Sequence, residues 1–211
     1  MFFSIKSFLA CCDIMIVVTT PMCKEIVEWA GLSEFKVNKH PDEEDGDLAI
    51  LLSESKTEMD SLAIKTNTFS QIAQSIIAVS NTLYENGLID ERVSYEKVNL
   101  IFEEFDSDFI NSWFEDMDTI REHNSNKSVK VYSEFLKDII NDIGAQIADS
   151  NAGSGYDYVV YPDYLADKVE SNEDFNDDSL TFIEMPTHGK VSKSPLERAQ
   201  QRYSILINAL E

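Results

Sequence analysis

The chain predicts an α/β fold: a doubly wound, mostly parallel, Rossmann-like sheet carrying an inserted helical pair. Three observations point to it. Apolar runs of strand length alternate with amphipathic stretches of helical period through most of the 211 residues. One run, residues 47–53 (DLAILLS), is apolar without alternation, as expected for a strand covered on both faces. Several strand candidates lead straight into helix-start signals, the connection that parallel neighbours require.

The elements follow in order. Residues 15–19 read as a buried strand, with Thr20 placed to cap a helix, Pro21 at its first position and Gly31 just past its end. Residues 35–37 form a short strand, and 40–46 (HPDEEDG) a solvated acidic loop. The strand at 47–53 is followed by another at 61–65, after which Thr66, Asn67 and Thr68 lead into a long helix. Its Phe69, Ile72, Ile76, Ile77, Val79 and Leu83 recur at helical spacing until Gly87. The helical pair occupies about 94–123, acidic outside and aromatic inside, with Phe109, Trp113 and Phe114 on its second member. A strand at 129–132 precedes Ser133 and a helix bearing Leu136, Ile139, Ile140, Ile143 and Ile147. Residues 151–155 (NAGSG) form a link; strands at 156–161 and 180–185 flank a short helix at 162–169. Ser194, Pro195 and Glu197 have the spacing of a capping box for the terminal helix, whose inward face is Leu196, Ala199, Tyr203, Leu206, Ile207 and Leu210.

Composition bounds the function. With 39 Asp+Glu against 17 Lys+Arg, the net charge of −22 sets up a field that repels nucleic acid and anionic membranes, so neither is expected as a partner. Three cysteines (Cys11, Cys12, Cys23) make no disulfide framework and no CxxC pair, which predicts a reducing, cytoplasmic setting. Residues 1–14 are apolar but interrupted by Lys6; they read as an N-terminal extension or a misplaced start, and 15–211 as a single α/β domain. No segment has the length of a membrane span.

In an open parallel sheet, ligands bind beyond the carboxyl ends of the strands, near a reversal of strand order. The residues there are rich in hydroxyls and amides: Thr19 and Thr20, Ser53 and Ser55, Thr66, Asn67 and Thr68. Each has two readings, a helix cap or a donor in a crevice for a carboxylate or phosphate. Residues 185–195 (MPTHGKVSKSP) favour the crevice: His188, Lys190 and Lys193 stand there without an acid, in a chain otherwise flooded with them. Cys23 is open to three readings: a small buried hydrophobe, a thiolate nucleophile at a helix start with His188 as its proton carrier, or a metal ligand. It has no partners at a recognised metal spacing, and the acidic runs at 42–45 and 173–178 lack the pattern of a calcium loop, so no metal site is expected. No phosphate-binding or hydrolase signature is present, and no cofactor is assigned.

The style of the chain resembles uncharacterised proteins restricted to methanogenic archaea. Residues 15–23, MIVVTTPMC, are similar to the opening of a methanogen family that carries a cysteine just after its first strand. That family binds guanylylpyridinol through a thioester during assembly of the iron-hydrogenase cofactor, so the resemblance implies a precursor held at Cys23. The strand–helix–strand opening followed by DLAILLS also resembles one lobe of a cofactor- or metal-complex-binding α/β protein.

Two functions follow from the sequence. The first is a cytosolic protein that binds a small anionic metabolite or cofactor precursor at the carboxyl edge of the sheet. The second is a non-catalytic accessory protein that docks a protein partner through its acidic, aromatic helical surface.

Overall fold

The computed structural model describes residues 15–105, 108–148, 155–171, 177–187 and 189–210, so the extension over 1–14 lies outside it. The fold is α/β with parallel strands throughout, and the strands are dealt into two four-stranded sheets. The first contains β1 (Val17–Thr19), β2 (Lys36–Val37), β3 (Leu48–Leu52) and β4 (Ser61–Ile64), in the order β2-β1-β3-β4. The second contains β5 (Ser128–Val131), β6 (Gln146–Ile147), β7 (Tyr158–Pro162) and β8 (Thr181–Met185), in the order β6-β5-β7-β8. Both lobes therefore share one topology, with the reversal of strand order beside their first strands, β1 and β5. The division falls where three successive helices, α2 (Phe69–Glu85), α3 (Tyr95–Glu104) and α4 (Asp108–Asn124), separate β4 from β5. A crossover within one sheet needs a single helix, and three carry the chain away to start another.

The remaining helices are α1 (Lys24–Trp29), α5 (Glu134–Asp142), α6 (Ala166–Glu170) and α7 (Pro195–Leu210). The continuous apolar run expected at β3 is buried from Leu48 to Leu51. The amphipathic helices α2, α5 and α7 turn their stripes inward to build a core that runs through both lobes. Its centre is aromatic. Phe69 of α2 stacks on Tyr203 of α7 with centroids 5.0 Å apart and planes 9° from parallel, and Trp113 of α4 lies 4.4 Å from the same tyrosine ring. Of the aromatic residues on the helical pair, Trp113 is thus core, whereas Phe114 remains 50 % exposed.

Three local expectations are corrected. The first helix does not begin at Pro21: the Cys23 N–H donates to the Thr20 carbonyl (3.0 Å), closing a turn that delays the helix to Lys24. The helix after Ser133 does not reach Ile147. It stops at Asp142 because Gly144 takes φ +84°, with its N–H on the Asn141 carbonyl and that of Ala145 on the Ile140 carbonyl. This pairing ends a helix, and the chain leaves it as β6. A Cβ at Gly144 would also lie 2.7 Å from the Arg121 backbone, so the position is closed to other residues on steric grounds. At the start of α7 the capping box does not form. Ser194 Oγ donates to Glu25 Oε2 of α1 (2.7 Å), and Glu197 accepts from Ser192 Oγ instead.

Candidate functional site

The carboxyl ends of both sheets open onto one cleft of about 410 Å³. Each part of its wall follows a strand or belongs to the last helix. Met22 comes after β1, Leu52, Glu54 and Ser55 from the end of β3, and Thr66 and Asn67 from beyond β4. Opposite them stand Ser133, Glu134 and Phe135 after β5, Tyr164 after β7, Thr187 and Val191 after β8, and Arg198 and Arg202 of α7.

The two arginines dominate the electrostatics. Arg198 is 2 % exposed and Arg202 7 %. They lie one helical turn apart, on the same side of α7. Arg198 is held as a fork: Nη1 donates to the Ser192 and Lys193 carbonyls (3.0 and 3.1 Å), and Nη2 donates to Thr66 Oγ1 across the cleft (3.0 Å). Arg202 is held by packing alone, its guanidinium 4.7 Å above the Phe135 ring, and its buried Nε has no hydrogen-bond partner among the described residues. Burial, reinforced by repulsion from Arg198, pushes the Arg202 pKa down from its ordinary value to about 10. Glu54 and Asp163 offset part of this but make no ion pair with it among the described residues. A buried, charged and incompletely hydrogen-bonded guanidinium is costly, and it calls for an anion.

Thr66, Asn67 and Ser55 of the sequence-derived set line the cleft. Asn67 Nδ2 and Lys65 Nζ both donate to Asp138 Oδ2 of α5 (3.0 Å each), which ties the two lobes together beside the cleft. Burial opposes ionisation of Asp138, but hydrogen bonds from Gln71, Asn67 and Lys65 outweigh it and hold the carboxyl below its ordinary range. Ser133 stands at the α5 N-cap without using its hydroxyl as a cap, leaving that group toward the cleft.

The other expected site residues do different work. Thr19 is buried and donates to the Ile50 carbonyl (2.7 Å), a bond within the sheet. Thr68 caps α2 by accepting from the Gln71 N–H (3.1 Å). Thr20 lines a small neighbouring pocket, and Ser53 is exposed, with its N–H on the Ile64 carbonyl (2.8 Å). Lys190 is paired with Asp163 (3.2 Å) and Glu184 (3.8 Å), and Asp163 also accepts from the Thr187 hydroxyl. Lys193 is exposed; its contribution is the carbonyl that holds Arg198. The basic loop therefore buttresses a cation and does not itself supply the free one. His188 lies outside the described residues.

Of the three readings of Cys23, its position agrees with the small buried hydrophobe. It is wholly buried, and desolvation raises its thiol pKa above the ordinary value despite a hydrogen bond with Thr20 and the charge of Arg198. A buried neutral thiol is a small hydrophobe.

The arginines themselves escaped the sequence reading, which assigned α7 only its apolar face. Two signals pointed to them: their i, i+4 spacing beside that face, and a stretch from Met185 to Leu210 whose sole acid is Glu197.

No family model matches the chain, and no curated protein matches it. Solved structures do. The chain is similar to a mutant of the laminin-binding adhesin Lmb from Streptococcus agalactiae, with TM-score 0.61 and 9 % identity over 94 % of this chain and 100 % of that one. It is also similar to a periplasmic metal binding protein from Candidatus Liberibacter asiaticus, with TM-score 0.53, 9 % identity and the same coverage. A zinc-bound mutant of AdcAII from Streptococcus pneumoniae gives TM-score 0.53 and 9 % identity, again over 94 % and 100 %. At such identities what is shared is the fold. No helix among the described residues is long and apolar enough to cross a membrane.

Proposed function

We propose that the protein is a two-lobed binding protein whose cleft takes a small anionic metabolite on Arg202 and Arg198. The observation that carries this reading is the Arg202 side chain, 7 % exposed on the cleft wall, with no partner for its Nε among the described residues and a second buried arginine next to it. An anion in the cleft would pair with the guanidinium that Arg202 contributes to its wall and offset the repulsion between the two guanidinium groups. The uncapped N-terminus of α5 adds a weaker attraction for the same charge. This reading takes binding as non-covalent, because Cys23 is buried and is not part of the cleft wall.

The metal ions named for the solved relatives are a poor cargo for this donor set. The two buried arginines on the cleft wall would repel a divalent cation. Docking of a protein partner stays a separate reading. It rests on the half-exposed Phe114 in a groove of about 550 Å³ between α2, α3 and α4, rimmed by Glu103 and Glu115.

Calorimetric titration with a panel of monocarboxylates, phosphate, zinc and manganese tests the proposal. At least one anion should bind to the wild type and fail to bind to Arg202→Met. Binding of a metal ion by both proteins, with no anion bound by either, would overturn it.

A further inference from the structure

We propose that the ligand of this cleft is a zwitterion, an α-amino acid with an apolar side chain, whose carboxylate meets Arg202 and whose ammonium group meets Glu54. The inference rests on the anion-binding reading and specifies its ligand class.

The cleft wall carries four charges, and their engagements differ. Arg198 is committed to two carbonyls and Thr66. Glu134 is paired with Lys137 at 2.5 Å. That leaves one buried cation, Arg202, and one carboxylate, Glu54, exposed on the cleft wall and engaged in no hydrogen bond or ion pair among the described residues. Glu54 follows β3 in the first lobe, and Arg202 belongs to the helix that closes the second. Glu54 is near enough for its charge to act on Arg202 but does not neutralise it directly. A plain anion would satisfy the arginine and meet repulsion from Glu54. A molecule bearing an ammonium and a carboxylate on one carbon offers a partner to each.

The remaining wall describes the body of the molecule. Met22, Leu52, Phe135, Tyr164 and Val191 offer apolar contact, and Tyr164 is exposed at the opening, where a side chain could be covered. A cavity of about 410 Å³ suits a single amino acid. The planar guanidinium matches a carboxylate by two parallel hydrogen bonds, and among the described residues the wall holds no second uncommitted cation for a multiply charged phosphate.

The test uses the full chain titrated with L-leucine, L-methionine and L-phenylalanine, and with the same three molecules lacking the amino group. At least one amino acid should bind about tenfold tighter than its deaminated counterpart, because a charge-assisted contact is added. Glu54→Gln should erase that preference while leaving the deaminated acid bound as before or more tightly, and Arg202→Met should abolish both. Deaminated acids binding as well as the amino acids would overturn the zwitterion and leave the anion reading standing. The same holds if phosphate alone binds and is lost in Arg202→Met. If no carboxylate, amino acid or phosphate binds, both readings fail.

Discussion

Replacing Arg202 by methionine should stabilise the ligand-free protein while removing its function. The fold holds a guanidinium whose pKa has fallen from its ordinary value to about 10, with desolvation the larger cause and Arg198 the next. A fall of that size corresponds to about 3 kcal/mol against the folded state when the side chain is charged. Because the folded pKa is the lower one, this penalty is fully present at neutral pH and fades only as the pH rises through about 10 toward the ordinary guanidinium value. Methionine has a similar unbranched stem and can keep much of the packing against Phe135. What it loses is the cation–π contact, worth about 1–2 kcal/mol when shielded from water. The net gain is therefore about 1–2 kcal/mol, or a melting temperature raised by about 5 °C for a chain of this size. Thermal melts followed by circular dichroism, with and without the anion that binds the wild type, give both halves of the result. The variant should melt higher than the wild type without ligand and show no further rise when the anion is added. A variant that melts lower and still responds to the anion would refute the reasoning, since Arg202 would then be an ordinary structural residue.

Two further outcomes follow from the same geometry. Asp138 bridges the lobes with a carboxyl held below its ordinary range, so its contribution is present above the unfolded pKa and lost as pH falls through the lowered value. Urea melts should show Asp138→Asn weaker than wild type by about 1 kcal/mol at pH 7, with the gap closing toward pH 3; a gap independent of pH would mean that its charge is irrelevant. Cys23, buried with a raised thiol pKa, should resist iodoacetamide in the native protein and react once it is denatured. Peptide-resolved mass spectrometry reads this directly, and rapid native labelling at Cys23 would restore the nucleophile.

The local elements were legible because their signals are local. Residues 47–53 read as a doubly covered strand from their unbroken apolar run, and β3 is buried to match. Thr68 read as a helix start, and it caps α2. Where the reading slipped, a contact from elsewhere decided. Ser194 and Glu197 have capping-box spacing, yet Glu25 of α1 and Ser192 supply closer partners. The apolar period of α5 continues to Ile147, but Gly144 ends the helix, and the Arg121 backbone packed against it leaves no room for a side chain.

The sequence alone determined the α/β class, the parallel strands, and a polar crevice at their carboxyl ends, because periodicity, caps and strand-to-helix connections are written within a few residues of one another. It also marked the basic C-terminal stretch as different from an otherwise acidic chain. Only the tertiary structure decided that the strands form two sheets facing one cleft, that Lys190 is spent on Asp163 and Glu184, and that Cys23 is sealed in the core. It also singled out Arg202, whose role depends on its burial and on an Nε without a hydrogen-bond partner among the described residues, properties of every surface packed around it.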